Sequence, residues 1–319
     1  MSDRRERGRG RVLVAGEINT DLVGRVARAP EAGETVSGTS FAVFGGGKGA
    51  NQAVSAARSG AEVAMLGAVG NDDFGRQRLD GLLAEEIDVA FVDVTDDAAS
   101  GVALIVVQED SGQNRITYIP GANLVVDPAS AAEAVARFAP DVVLSTLALP
   151  EPVRVALFAA ARANGARVVV NATPEPLGAR VHLGEIDALV VNETEAGALL
   201  GRPVAVGGAR EAAAALAALG PEMVLITLGA DGALILSEGD PVHIPAPAVE
   251  VVDTTGAGDA CCGAFAARLA SGSNPITAAR AGVIAGSLAT TREGAQPSMP
   301  GAEEIDALLL TDDGWQVSR

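Results

Sequence analysis

From residue 141 onward the chain repeats one pattern: a short, wholly apolar run, then a longer stretch at helical spacing. DVVLS (141–145), ARVVVNA (166–172), DALVVN (187–192), MVLITLG (223–229) and AVEVVD (248–253) are the runs. A strand that is apolar at every position is buried on both faces, which happens in parallel sheets covered by helices on both sides. RVLVAG (11–16) and AEVAMLGAVG (61–70) read as two more such strands. Between them KGANQAVSAARSG (48–60) reads as a helix closing on Gly60. The expected fold is therefore α/β, a doubly wound and mainly parallel sheet flanked by helices. In an open sheet of this kind, ligands sit beyond the carboxyl ends of the strands.

Two regions break the rhythm. ETVSG (34–38) and TSFAVF (39–44) alternate in polarity, and 101–119 reads as a hairpin whose turn is EDSGQN. They predict a small β lid formed by about 20–44 and 101–119, attached to one α/β domain over 11–312. The arginines of residues 1–10 read as a disordered basic tail, since they lack the apolar stretch of a signal peptide.

Composition removes several classes of partner. A net charge of −18 argues against nucleic acid and anionic membrane surfaces, and 3% aromatics leave few base-stacking platforms. No segment reaches the ~20 unbroken apolar residues of a membrane span. Cys261 and Cys262 are adjacent and cannot build a disulfide framework, and His182 and His243 lie too far apart for a zinc pattern. Small buried thiols in a reduced, cytoplasmic protein are the expectation.

The chemistry concentrates in glycine turns. VVDTTGAGDACCGAF (251–265) reads as a strand, a turn and a helix start, where free N–H groups and the helix dipole favour an anion. Asp259 in that mouth would repel a phosphate unless it has another task. With Gly256, Ala257 and Gly258 holding a transferring phosphoryl group, an ionised Asp259 can take the proton of an attacking alcohol. The plainer reading is that Asp259 stabilises the first turn of its helix.

FGGGKGANQA (44–53) fails the phosphate-loop spacing, with Ala42 in place of the first glycine and Gly49 after Lys48. What remains is a glycine run opening a helix with Lys48 and Asn51 in its first turn, or else a flexible turn and an ordinary cap. In GEINTD (16–21), Asn19 and Asp21 point the same way if the chain is extended, which suits adjacent hydroxyls or simply a turn. Asn192 and Glu195 in VNETEAG read as a capping box or as ligands reaching for hydrated Mg²⁺. Thr227, Gly229 and Gly232 in ITLGADG could receive a nucleotide phosphate or form a plain hairpin turn.

Taken together, NTD (19–21), GGKGANQA (46–53), GNDDFG (70–75), NETE (192–195), TLGADG (227–232), DTTGAGD (253–259) and REGAQPS (292–298) resemble the ribokinase-like sugar kinases of the phosphofructokinase-B family. The motifs keep the family's order across nearly the whole chain. The resemblance implies ATP-dependent phosphorylation of a primary hydroxyl on a small sugar, D-ribose first among the candidates. It assigns Asn19, Asp21, Gly46, Gly47, Lys48 and Asn51 to the sugar, Asp259 to the catalytic base, and Gly256, Ala257 and Gly258 to the anion hole. Asn192 and Glu195 would help position Mg²⁺ and phosphate, and Thr227, Gly229, Gly232 and Gly258 would hold ATP. An activating K⁺ would lie at Asp253, Thr255, Ala289, Arg292, Gly294 and Ser298, several through backbone carbonyls. The family's β lid closes over the sugar and commonly serves as a homodimer interface.

One position departs from the family. Where its members carry a sugar-contacting glutamate, this chain has Ala148, with Glu151 three residues later. That favours, as alternatives, a kinase for another sugar or for a nucleoside. A purine would need an aromatic surface, for which Phe41, Phe44 and Phe91 are the N-terminal candidates. A non-catalytic sugar-binding regulator is the third reading, and the intact Gly-Ala-Gly-Asp turn argues against it. A dinucleotide-binding oxidoreductase is disfavoured, as no G-x-G-x-x-G follows the first strand.

Overall fold

The computed structural model describes residues 9–110, 113–172 and 183–310. Most of the N-terminal basic stretch, part of the turn at 111–112, His182 and positions 311–312 lie outside them.

In chain order the first half runs β1 (Arg11–Ala15), β2 (Asn19–Val26), β3 (Gly38–Gly46), α1 (Lys48–Arg58), β4 (Glu62–Gly70), α2 (Asp73–Ala84) and β5 (Asp88–Thr95). Then come β6 (Gly101–Gln108), β7 (Asn114–Ile119), α3 (Pro128–Phe138), β8 (Val142–Thr146), α4 (Glu151–Ala163) and β9 (Arg167–Asn171). The remainder is β10 (Ala188–Asn192), α5 (Glu193–Leu200), α6 (Ala209–Ala217), β11 (Met223–Thr227), β12 (Ala233–Leu236), β13 (Val242–Ile244), α7 (Ala257–Ala270), α8 (Pro275–Ala289) and α9 (Ala302–Leu309).

The large sheet has the order β13-β12-β11-β10-β9-β8-β1-β4-β5. Its pairings from β11 to β5 are parallel, and β12 and β13 close one edge as antiparallel strands. The α/β class and the mainly parallel sheet are thus as the apolar runs required. Period-two alternation divides each buried strand between two cores. Val12 and Val14 pack with α1, α7 and α8 on one face, while Leu13 and Ala15 pack with α3, α4 and α6 on the other. Small residues let the first face close tightly. A Cβ on Gly263 of α7 would meet the Gln52 carbonyl oxygen of α1 at 2.5 Å, so the two backbones nearly touch. That contact fixes the N-terminal turn of α7 against the first turns of α1.

A second sheet of order β3-β2-β6-β7 stands apart. Residues paired across its strands share a face, so Asp21, Phe44, Ala103 and Tyr118 look one way. Phe41, Val43, Leu104 and Ile119 look the other way, all more than 40% exposed.

Two sequence expectations fail. ETVSG contributes only Gly38 to β3. AVEVVD is not a strand: the β12–β13 hairpin already occupies that edge of the sheet. The segment instead crosses the end of α8, where the Val252 and Asp253 N–H groups both donate to the Thr290 carbonyl oxygen. Val251 and Val252 are left 60% and 58% exposed, so their apolar character did not signal burial.

Candidate active site

The carboxyl ends of the parallel strands bring the polar positions together. Register sets Asn192 beside Thr227 and Thr146 beside Asn171. Asp259 comes from elsewhere: α7 follows an irregular loop and not a strand, which corrects the expected strand–turn–helix. The loop swings the first turn of α7 over the strand ends, and Asp259 is 8% exposed there.

Two amides hold its carboxylate. Asn51 Nδ2 donates to Oδ2 and Gln52 Nε2 to Oδ1, each over 3.0 Å. Gln52 also donates to Asn171 Oδ1 over 3.0 Å, tying Asp259 to the end of β9. Burial pushes the Asp259 carboxyl up to about 6, against the pull of both amides and of Lys48, with Glu17 adding to the rise. The sequence reading takes Asp259 as ionised at neutral pH. Desolvation wins, and the group becomes a stronger base while remaining mostly ionised at neutral pH.

Gly256 caps α7 with φ +77°, a left-handed conformation, and a Cβ there would meet Ala295 Cα at 3.0 Å. Gly258 differs, because a Cβ on it would meet no atom within 4 Å. Its bare backbone faces open space. On one side is a cavity of about 500 Å³ lined by Thr227, Gly229, Gly232, Val251, Gly258 and Ser287 among others. On the other is a space of about 200 Å³ bounded by Lys48, Asn192, Glu195, Gly258 and Asp259.

Asn192 and Glu195 do form the capping box: the Glu195 N–H donates to Asn192 Oδ1 and the Asn192 N–H to Glu195 Oε2, both over 2.8 Å. They line the smaller cavity as well. Burial raises the Glu195 carboxyl, with Lys48 pulling it down. One carboxylate beside an open space and a glycine turn fits Mg²⁺, which takes few protein ligands besides phosphates and water. Among the described residues no cluster of three His, Cys, Asp or Glu is placed to hold a metal.

The start of β2 carries Asn19 and Asp21. A Cβ on Gly46 would lie 2.2 Å from Asp21 Oδ1, so a side chain there would displace this carboxylate. Burial lifts Asp21 to about 6, opposed by Arg78. Asn123 was not foreseen. Wholly buried after β7, it donates from Nδ2 to Asn19 Oδ1 over 2.8 Å. Gln52 and Arg78 were also missed, and Gln52 has a sequence signal: four residues after Lys48, it shares that face of α1.

Asp253 joins two loops by accepting from the Thr255 N–H (2.9 Å), Thr255 Oγ1 (2.7 Å) and the Gly294 N–H (2.9 Å). Ala289 ends α8 nearby, and Ser298 Oγ donates to the Ala295 carbonyl oxygen. The Arg292 side chain turns away to pair with Glu304, so only its backbone is free to face this corner. Phe91 is buried in the core and unavailable for stacking, and Phe41 lies on the outward face of the second sheet. Cys261 and Cys262 are buried free thiols, burial pushing Cys261 up to about 12. Glu151 opens α4 as an exposed residue, and Ala148 sits in the turn before it.

Residues 9–302 match the model of the pfkB family carbohydrate kinases. Ribokinase of Mus musculus is 40% identical over 266 residues, covering 81% of each chain. Ribokinase of Haemophilus influenzae is 35% identical over 295 residues, 92% of this chain and 96% of its own. The structure of Arabidopsis thaliana ribokinase complexed with ribose and ATP superposes with a TM-score of 0.84 at 28% identity, covering 96% of this chain and all of that one. Among the described residues no helix is long and apolar enough to cross a membrane.

Proposed function

The chain belongs to the pfkB family of carbohydrate kinases, and from that premise we propose that it transfers the γ-phosphate of ATP to the primary hydroxyl of D-ribose, giving D-ribose 5-phosphate and ADP. The observation that carries this reading is the position of Asp259. It is buried between the amides of α1 on the sugar side and the Gly256–Gly258 turn that opens onto the larger cavity.

In this reading Asn19, Asp21, Gly46, Gly47, Lys48 and Asn51 hold the sugar hydroxyls. Asp259 accepts the proton of the primary hydroxyl as its oxygen bonds to the γ-phosphorus and the bond to the β-phosphate oxygen breaks, releasing ADP. The N–H groups of the Gly256–Gly258 turn would meet the charge gathering on the transferring group, that of Ala257 by giving up its 3.3 Å bond to the Thr254 carbonyl oxygen. Thr227, Gly229 and Gly232 border the nucleotide. Asn192 and Glu195 would hold Mg²⁺, which supplies charge neutralisation on the phosphates. The corner formed by Asp253, Thr255, Ala289, Arg292, Gly294 and Ser298 would hold K⁺ and steady the anion-hole loop.

The second sheet is assigned as a lid over the sugar, its Asp21 face inward. Its outward apolar face, with Phe41, Val43, Leu104 and Ile119, supports a homodimer through the lids. Two buried free thiols suit a reducing, cytoplasmic setting. A kinase for a different small sugar is the second reading, favoured by Ala148. ADP release with ATP and Mg²⁺ across pentoses, hexoses and nucleosides tests these readings. Ribose-dependent turnover supports the first, turnover on another acceptor the second, and sugar binding without turnover would contradict both.

A further inference from the structure

Glu17 is a buried carboxylate that the chemistry above leaves without a task. It is 7% exposed, in the short link between β1 and β2. Its backbone is clamped: the Ala50 N–H in the first turn of α1 donates to the Glu17 carbonyl oxygen over 3.1 Å. The next residue, Ile18, packs into the core with its N–H held by Asn123 Oδ1 over 2.9 Å. Asn19 and Asp21, at the start of β2, follow Glu17 two and four residues on in the chain. The only bond to the Glu17 side chain among the described residues comes from Thr146 Oγ1 to Oε2 over 2.7 Å. A carboxylate has about four acceptor positions, and a buried one is costly unless they are used. Its charge is also felt by Asp259.

Thr146 ends β8, the sheet neighbour of β1, and Ala148 lies two residues beyond it. The family's expected sugar-contacting glutamate is therefore missing from the loop after β8, while a carboxylate projects from the loop after β1 and bonds to that same strand end. We propose that Glu17 accepts a hydrogen bond from a hydroxyl of the sugar and is a specificity-determining residue, standing in for the glutamate replaced by Ala148. This rests on the sugar-kinase reading and adds the residue through which the chain selects its acceptor.

The test compares kcat and KM of the parent, Glu17→Ser, Glu17→Gln and the double variant Glu17→Ser with Ala148→Glu on D-ribose and its single-deoxy analogues. A site built around a hydroxyl rejects the analogue lacking it. The parent is expected to disfavour one analogue by roughly 10-fold or more in kcat/KM. In Glu17→Ser that penalty shrinks to within about 3-fold, the penalties at other positions persist, and the double variant regains the lost discrimination. Glu17→Gln keeps the shape and the Thr146 bond, and its ribose affinity by calorimetry should fall with its melting temperature unchanged. Equal losses on every analogue would assign Glu17 a structural role and overturn this inference alone. A parent that turns over no sugar would overturn the sugar-kinase reading and this inference with it.

Discussion

Asn51 and Asp259 lie 208 positions apart and meet through one hydrogen bond, from Nδ2 to Oδ2 over 3.0 Å. The bond exists because α1 and α7 approach at backbone distance where Gly263 faces Gln52. It places the base beside the first turn of α1, with the Gly256–Gly258 turn directly before it in the chain.

Replacing that base separates activity from stability. Asp259→Asn should lower kcat by about 10²–10⁴, the range that a positioned general base contributes. It also removes a buried charge that folding must desolvate. Stability at pH 8 by urea unfolding should therefore equal the parent's or exceed it by up to about 1–3 kcal/mol. A clear loss of stability would mean that the Asn51 and Gln52 bonds outweigh desolvation.

The same group sets the pH dependence. Asp259 must be ionised to accept a proton, so kcat/KM should be flat above about 6 and fall roughly tenfold per unit below it. For stability the sign is opposite. Its folded value of about 6 exceeds the ordinary 3.8, so its contribution is full below 3.8 and is lost as pH rises through 6. An activity profile with no break near 6 in the parent would contradict the raised value at Asp259, and a break that persists in Asp21→Asn separates its contribution from that of Asp21, which burial also lifts to about 6.

The two glycines of the turn should respond differently. Gly256→Ala meets both a positive φ and Ala295, and should cost about 1–3 kcal/mol of stability along with activity. Gly258→Ala meets no protein atom and adds a good helix former to the first turn of α7. It should melt at or above the parent's temperature yet turn over at least about 10-fold slower, because its methyl enters the space claimed by the phosphoryl group. Full activity in Gly258→Ala would remove the anion-hole assignment.

Asp253→Ala frees the Thr255 and Gly294 N–H groups at once. If this corner holds K⁺, rate measurements across a KCl titration should show stimulation in the parent and its loss in the variant. Equal stimulation in both would place the ion elsewhere.

Much of this was legible in the sequence. Strands such as β8 and β9 are buried on both faces, so their apolar runs identify them without help from neighbours. AVEVVD misled because valine is also tolerated in an exposed crossing segment. Asp259, Asn51 and the glycine turn stood out because each motif is local. Gln52, Asn123, Arg78 and Glu17 did not, since a polar residue in a helix or turn reads as solvated until the fold buries it. Glu17 lay inside a quoted motif, and only its bond to Thr146, 129 positions away, gives it meaning.

The central claim is that Asp259 activates the primary hydroxyl of a pentose. Its most direct test is ³¹P NMR of the product formed from D-ribose and ATP with Mg²⁺. A single phosphomonoester on C5, absent with Asp259→Asn, is the predicted result. Phosphate on another carbon, or an undiminished product yield from the variant, would contradict the account.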